Sequence, residues 1–213
     1  VTEAEAVDII QRIDQFTGEN VNYRETTTWH DGSPMDDTKV DGVIFIKKNG
    51  DFYKRQFENE VINIKWFGAI GDGIIDDTLA IQKAHDVAYM LGYTLFLPKG
   101  NYLVTSTLEF KTRLSIKFQN SAIIKKHSGD GIVSINNSVE YDEHSWDNIF
   151  IITDSAYKFT GVGLKIQKTS RFKINGLRVI EAQKGLILDD VMVSTFNDIN
   201  IDRCSDVSLE LLR

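Results

Sequence analysis

The chain has 213 residues, 42% of them hydrophobic, and a formal net charge of -7, so it can form a core but offers no basic patch that could follow a phosphate backbone. These values argue against nucleic acid as a partner and leave neutral or cationic partners, glycans among them. No apolar stretch approaches the roughly 18 residues that indicate a membrane span, so we expect no membrane insertion. The single cysteine, Cys204, excludes an internal disulfide framework and a multi-cysteine metal site.

Residues 3–16 have the apolar spacing of an amphipathic helix that ends at Gly18. Such a helix must pack its apolar stripe against a partner, either in its own domain or in another subunit. The acidic start lacks the regions of a signal peptide. Because the chain begins without Met and ends within an apolar pattern, SLELLR, we expect it to be part of a longer protein. The stripe consists of Ala6, Ile9, Ile10, Ile13 and Phe16.

The stretch VIFIKKNGDFYKRQF predicts a β-hairpin, because Asn49 and Gly50 tolerate the positive φ of a tight turn between two β-prone segments. The preceding WHDGSPMDD predicts a loop. Its acids could hold calcium, but they match no EF-hand spacing, so a solvated turn is the favoured interpretation.

The stretch IKWFGAIGDGIIDDTLAIQKA predicts a turn followed by a helix that ends at Gly92. Asp76, Asp77 and Thr78 precede the apolar positions of this helix, and we expect their side chains to cap it. YTLFLPKGNYLVTSTLEF then predicts two strands around a Pro-Lys-Gly turn. The stretch has no phosphate-binding loop, so we expect no nucleotide cofactor.

A repeat of 22 residues follows, because 163–184 align without gaps on 185–206 and VSLELLR begins a third copy. A period of this length is typical of a solenoid. We expect opposite charges to meet between copies at Lys168 and Asp190, Glu181 and Arg203, and Lys184 and Asp206. Apolar positions should meet as well: Leu164 with Leu186, Ile166 with Leu188, Ile174 with Phe196, Leu177 with Ile199, and Val179 with Ile201.

The segment 61–104 resembles the entry segment of the pectate-lyase-like superfamily. The residues that carry the resemblance are Asp72-Gly73, Asp76-Asp77-Thr78, Ala80-Ile81-Gln82, Leu95-Phe96-Leu97-Pro98 and Gly100-Asn101-Tyr102. The resemblance implies a right-handed parallel β-helix, a homotrimer in many phage members, that acts on bacterial surface polysaccharide. It gives Asp72, Asp76 and Asp77 a structural role and no catalytic one.

The predicted fold is therefore mainly β, with a small α+β head at 1–60 that contains the hairpin and a parallel β-helix with an N-terminal helical cap from 61 to 213. By its place in the chain, the head fits a virion-attachment or neck module that would contact phage tail or baseplate proteins. We expect further coils beyond residue 213.

The segment NNSVEYDEHSWDN, 136–148, breaks the repeat and predicts a projecting loop. Tyr141 and Trp146 offer ring faces for sugars, and Asp142 and Glu143 could bond hydroxyls. His144 lies beside these acids, but no two histidines have ligand spacing, so we expect no metal site. An interchain contact or a plain solvated loop is the alternative. Catalytic residues are not identifiable; the acids of the coils are Asp189, Asp190, Asp202, Asp206 and Glu210.

Three functions remain open. The first is a structural virion component, a phage tailspike or tail fibre that binds a host surface glycan. The second is a polysaccharide lyase or glycoside hydrolase, within such a spike or secreted by a bacterium, although the fold alone does not establish activity. The third is a cell-wall-bound bacterial adhesin, which would require an export signal upstream of Val1.

Overall fold

The computed structural model describes residues 8–57, 59–136, 140–141 and 143–212, without the side chains of 140 and 141. The chain divides into two compact units, 1–60 and 61–213, called the head and the body below. Strands pair antiparallel in the head and in parallel in the body. Within the described residues, no helix is both long and apolar enough to cross a membrane.

The head is a four-stranded sheet in the order β1-β2-β4-β3. Its strands are β1 (Ile9–Ile13), β2 (Asn20–Glu25), β3 (Phe45–Lys48) and β4 (Asp51–Arg55). Asn49 and Gly50 join β3 to β4, and both have positive φ, 55° and 103°, the backbone that such a two-residue turn requires. One buried hydrophobic cluster of the head consists of Val21, Tyr23, Ile46 and Tyr53, and Ile44 and Phe45 are fully buried as well.

The helix predicted at 3–16 is wrong for the part that the structure describes. Ile9–Ile13 form β1, which pairs with β2 so that Ile9 lies opposite Arg24. β-branched isoleucines suit a strand, and Ile10 packs against the head core while Ile9 and Ile13 are exposed. Among its described residues the head contains no α-helix, only a 3-10 turn at Asp37–Lys39, so the α+β expectation is also wrong for this part of the head.

The body begins with β5 (Val61–Asn63), a 3-10 turn (Ile64–Phe67), β6 (Asp72–Asp76) and the helix α1 (Thr78–Leu91). Short strands follow: β7 (Thr94–Leu97), β8 (Gly100–Val104), β9 (Leu108–Phe110), β10 (Ile116–Phe118), β11 (Ser121–Lys125), β12 (Ile132–Ser134) and β13 (Glu140–Tyr141). The last strands are β14 (Ser145–Thr153), β15 (Val162–Ser170), β16 (Lys173–Ile180), β17 (Lys184–Met192), β18 (Thr195–Asp202) and β19 (Leu209–Leu212).

The body strands form successive coils stacked in parallel. One sheet has the order β19-β17-β15-β12-β9. The other sheet is bent: β10 and β11 pair with the first and second parts of β14, which continues to β16 and β18. Each coil therefore contributes two legs to the bent sheet, joined at a bend.

The register predicted for 163–206 is confirmed. Leu164 pairs with Leu186 and Ile166 with Leu188, while Leu177 pairs with Ile199. The third copy is shifted by one residue, because Leu186 pairs with Leu209 and not with Ser208. The shift sets Leu209 on Leu186 and Leu211 on Leu188, so the apolar positions remain in register, and in β19, the last strand that the structure describes, these two leucines are 49% and 70% exposed.

Helix α1 is fixed to the first coil by polar side chains on its buried side. The Gln82 side-chain amide accepts a hydrogen bond from the Glu109 N–H at 3.0 Å and donates one to its carbonyl at 2.8 Å. Nε2 of buried His85 accepts from the Lys111 N–H at 2.9 Å, so Nδ1 carries the proton and faces Asp86. The helix and β9 are thereby bonded side by side.

The aspartates before α1 are structural, and Asp76, unlike Asp77, bonds to the first N–H of the helix as predicted. Asp77 makes no side-chain bond to the helix; its carboxylate accepts hydrogen bonds from the N–H groups of Ile70 and Gly71 at 2.6 and 3.0 Å. Asp76 accepts from the Thr78 N–H and from the Thr105 hydroxyl. These bonds fix the turn before the helix and attach it to β8, and burial raises the pKa of Asp77.

Candidate functional site: the bend groove

The predicted sugar-binding loop is only partly accessible. Trp146 is fully buried: its ring meets Phe110 and Phe172 edge-on at 5.9 and 5.2 Å, and its Nε1–H donates to the Leu114 carbonyl at 2.9 Å. The expectation that Trp146 offers a ring face to sugars is therefore corrected, because its position in β14 points into the stack.

The neighbours of Trp146 in the predicted sugar-binding loop differ in exposure and contacts. Glu143 is exposed, and His144 faces the Ser115 hydroxyl at 3.2 Å. The side chain of Tyr141 and the whole of Asp142 lie outside the described residues. The segment does lead into a concave surface, through Asn148, its last residue.

That surface, called the bend groove below, follows the bend of the second sheet. Asn120, Asn148, Gly176 and Asp198 lie at the bends of successive coils with φ of 48°, 58°, 86° and 54°. Asparagine, aspartate and glycine adopt this left-handed backbone most readily. A Cβ at Gly176 would also make a tight contact, 3.1 Å from Oδ1 of Asn148. The sequence therefore bends each coil at the same place.

A ladder of polar side chains lies beside the groove, just before the bend, and Lys117 of this ladder lines the groove. Lys117, Asp147, Asn175 and Asn197 are register partners on successive coils. Nδ2 of Asn175 donates to Oδ1 of Asp147 at 2.8 Å, and Nδ2 of Asn197 donates to Oδ1 of Asn175 at 3.1 Å. Each amide is oriented by its neighbour, which leaves further donors and acceptors available to a ligand.

The wall after the bend carries an aromatic ring. The Arg178 guanidinium lies over the Phe150 ring, 5.0 Å from its centroid, and Asn200 follows Arg178 in the register. Two adjacent cavities of about 520 and 300 Å³ line the groove, and both touch Asn148 and Phe150. They make one concave surface that extends across several coils.

This arrangement suits binding of polar, ring-shaped groups. Amides and charged groups can bond hydroxyls, and Phe150 offers a flat apolar face. Among the residues that line the two cavities, Asp198 has a carboxylate. Asp147, in the ladder beside the groove, already accepts hydrogen bonds from Asn175 and Ser145. Of the coil acids singled out from the sequence, Glu210 pairs with Lys184 at 2.7 Å and Asp202 with Arg203 at 3.2 Å. No group of three potential metal ligands occurs among the residues that the structure describes.

Sequence reasoning missed the bend groove because its residues are scattered over four coils. A signal was present, since asparagine, glycine or aspartate recurs at positions 120, 148, 176 and 198, at intervals of 28, 28 and 22 residues. The unequal intervals arise from insertions between strands, so a search for a constant 22-residue period does not find the first two.

Comparison with known proteins gives short matches to polysaccharide-related and surface proteins. Residues 61–148 match the family model described as rhamnogalacturonase A/epimerase, pectate lyase-like. Plasmin and fibronectin-binding protein A of Streptococcus pneumoniae is 37% identical over 73 residues, 33% of this chain and 10% of the relative. Mannuronan C5-epimerase AlgE1 of Azotobacter vinelandii is 54% identical over 54 residues, 25% of this chain and 4% of the relative. The chain thus spans a tenth or less of these two relatives.

Among solved structures, the fold is similar to tailspike protein gp49 of the Acinetobacter baumannii bacteriophage Fri1, described as a capsular polysaccharide depolymerase. The TM-score is 0.53 at 13% sequence identity, and the match covers 98% of this chain and 50% of the tailspike. At this identity, the likeness concerns the fold alone.

Proposed function

We propose that this chain, whose residues 61–148 are pectate-lyase-like, is part of a phage tailspike or tail fibre that binds a bacterial surface polysaccharide along the bend groove. The observation that carries the proposal is the groove itself, in which the ring of Phe150 lies beside a ladder of oriented amides that continues from coil to coil. A tailspike fold similar over 98% of the chain supports the same class.

The proposal assigns a role to each unit. The body is a right-handed β-helix whose first coil is covered by α1, and the head attaches the protein to phage tail or baseplate proteins. Three copies assemble, as in many phage members of the superfamily. Light scattering of the full chain tests the assembly: a trimer is expected, and a stable monomer at micromolar concentration would contradict it.

Glycan binding follows from the chemistry of the groove. Sugar rings have an apolar C–H face and polar edges, so they match an aromatic ring bordered by amides. Because neighbouring coils are about 4.8 Å apart, the ladder from Asp147 through Asn175 to Asn197 presents polar groups at regular steps along the stack. An extended polysaccharide that lies along the stack would meet a similar surface at each step.

A direct test measures binding of the full chain to purified bacterial capsular polysaccharides by calorimetry. Phe150→Ala should weaken binding about tenfold or more, because it removes the ring face. The matched control is Phe52→Ala in the head, where Lys47 lies over the Phe52 ring at 5.2 Å. Equal losses in both variants, or no binding to any capsule, would argue against the proposal.

The second candidate is an enzyme that cleaves or modifies the polysaccharide, favoured by the similarity to a tailspike described as a depolymerase and to mannuronan epimerases over short segments. Incubation of the protein with capsular polysaccharide, followed by measurement of the glycan length, distinguishes this enzyme from a protein that only binds the glycan. Shorter chains would indicate a lyase or hydrolase, and binding without shortening would favour adhesion.

A third candidate, a bacterial surface adhesin, has support from the similarity to plasmin and fibronectin-binding protein A. Electron microscopy with a labelled antibody distinguishes it from a virion protein. Label at phage tails is expected here, whereas label confined to bacterial surfaces would favour the adhesin.

A further inference from the structure

The two faces of the Phe150 ring have different surroundings. Arg178 on the following coil covers one face. On the preceding coil, Ile123 pairs with Ile151, which places Ala122 opposite Phe150. Alanine presents only a methyl group there, and Ala122 and Phe150 both line the cavity of about 520 Å³, on the side of the ring away from Arg178.

The cavity has an apolar floor and a polar rim. Ala122 and the Phe150 ring form the apolar part, while the side chains of Asn101, Lys117 and Asn148 stand around it. Its volume lies in the range of roughly 300–1,000 Å³ that is usual for small-molecule sites. Asn101 and Lys117 are exposed and so can bond a ligand without leaving a buried position.

We propose that this cavity, called the Ala122 subsite, binds one pyranose unit of a polysaccharide. The C–H face of the sugar stacks on the free face of Phe150 above the Ala122 methyl, and the sugar hydroxyls bond the amides of Asn101 and Asn148 and the ammonium of Lys117. The inference rests on the proposed polysaccharide binding and names the place in the groove where a single unit is recognised.

The arrangement gives the groove a direction. The Ala122 subsite lies on the side of Phe150 nearer the first coil, whereas the neighbouring cavity lies between Asn148, Gly176 and Asp198. The Arg178 guanidinium, which lies over the Phe150 ring, stands between the two cavities. A polysaccharide that fills both passes over Phe150 along the stack, with its best-enclosed unit at the end near Asn101.

The Ala122 methyl group is a direct reporter of occupancy. In full-length protein with ¹³C-labelled alanine methyls, short oligosaccharides cut from the capsule that the wild type binds should shift the Ala122 signal. The control signal is Ala156, an exposed alanine between β14 and β15 that does not line the groove. A shift at Ala122 with no shift at Ala156 supports the subsite, and an unchanged Ala122 signal at saturating oligosaccharide overturns it.

A variant pair provides the second readout. Ala122→Leu fills the floor of the subsite and should weaken polysaccharide binding about tenfold or more, whereas Ala156→Leu adds the same side chain outside the groove and should leave binding unchanged. Circular dichroism melting identifies the Ala122→Leu protein as folded. If Ala122→Leu does not fold, the methyl signal of the wild type decides alone.

The outcomes separate the subsite from the wider proposal. If Phe150→Ala weakens binding but Ala122→Leu does not, the groove binds polysaccharide and the Ala122 subsite is wrong. If the wild type binds polysaccharide and neither substitution weakens that binding, then the polysaccharide binds elsewhere, and both the subsite and the groove proposals are wrong.

Discussion

Glu181 on one coil forms an ion pair with Arg203 on the next coil, with 2.8 Å between Oε1 of Glu181 and Nη1 of Arg203. Lys158 approaches the same oxygen at 3.1 Å. The Glu181 side chain is 9% exposed and that of Arg203 57%. The pair therefore links a nearly buried acid to a solvated base across two coils.

Unequal burial predicts unequal costs for the two partners. Arg203→Gln should lower the free energy of unfolding by only about 0.2–1 kcal/mol, as for other exposed partners. Glu181→Gln removes the nearly buried acid that Lys158 and Arg203 share, which leaves Arg203 only the exposed Asp202, and it should cost more, about 1–3 kcal/mol. Urea denaturation of both variants checks this, and a larger loss for Arg203→Gln would mean that the pair does not hold the coils together as described.

Trp146 should matter for stability and not for glycan contact. Because the indole fills the stack between Phe110 and Phe172, Trp146→Ala should cost about 3–5 kcal/mol of unfolding free energy. Trp146→Phe keeps the ring but leaves the Leu114 carbonyl without its donor, so a smaller loss is expected. A folded, stable Trp146→Ala protein with reduced polysaccharide binding would restore the sequence-based role of Trp146.

Lys125 should make the stability of the body depend on pH. Its buried ammonium donates to the carbonyls of His127, Gly129 and Thr160 at 2.8, 2.9 and 2.9 Å, and burial lowers the pKa of Lys125 to about 8, with Asp130 opposing the shift. Between about pH 8 and the ordinary lysine pKa near 10.4, the unfolded chain keeps a proton that the folded chain has released. The titration of Lys125 therefore raises the free energy of unfolding as the pH rises through this range.

The measurement compares wild type with Lys125→Met by urea denaturation at pH 7, 8.5 and 10, values chosen to bracket roughly the titration of a lysine shifted in this way. The stability of wild type relative to the variant should rise across this range, by on the order of 1–3 kcal/mol. Lys126→Met, which removes the exposed lysine next in the chain, serves as the control. A constant difference between wild type and Lys125→Met would contradict the assignment.

The buried ion pair of the head should be the main determinant of its acid stability. Nη1 of Arg55 lies 2.6 Å from Oδ2 of Asp14, and both side chains are under 5% exposed. Burial raises the pKa of Asp14, but hydrogen bonds from Arg55, Thr17 and Phe16 outweigh it and hold the pKa below its ordinary value. This carboxylate therefore stabilises the head above about pH 4, and the contribution is lost as pH falls through its lowered pKa.

Arg55→Met leaves the Asp14 carboxylate buried without its cation and should destabilise the head by about 3–5 kcal/mol. Hydrogen exchange of the β2 and β4 amides at neutral pH measures the loss in the head alone. Arg24→Met, at an exposed position of β2, is the matched control and should change exchange little. Equal protection in both variants would show that the pair does not stabilise the head.

The coils were predictable because their side chains repeat. Leu177 and Ile199 are separated by one repeat, and they pair in the structure because a parallel stack brings equivalent apolar positions together. The prediction failed where the repeat changes: Lys184 bonds Glu210 and not Asp206, since the next coil is shifted by one residue at Leu209.

Two other features, the strand at Ile9–Ile13 and the inward orientation of Trp146, could not be predicted from the sequence. Apolar spacing at Ile9, Ile10 and Ile13 suits a helix or a strand, and pairing with β2 decides between them. The orientation of Trp146 depends on where β14 begins, because successive side chains of a strand point to opposite faces. A strand that begins at Ser145 points Trp146 inward and Asp147 outward.

A structure of the full-length protein bound to its capsular polysaccharide, by cryo-electron microscopy, tests the central claim most directly. The account predicts sugar density along the bend groove, with one ring against the free face of Phe150. Sugar density confined to the opposite sheet, on β12, β15 and β17, with the groove empty would contradict it.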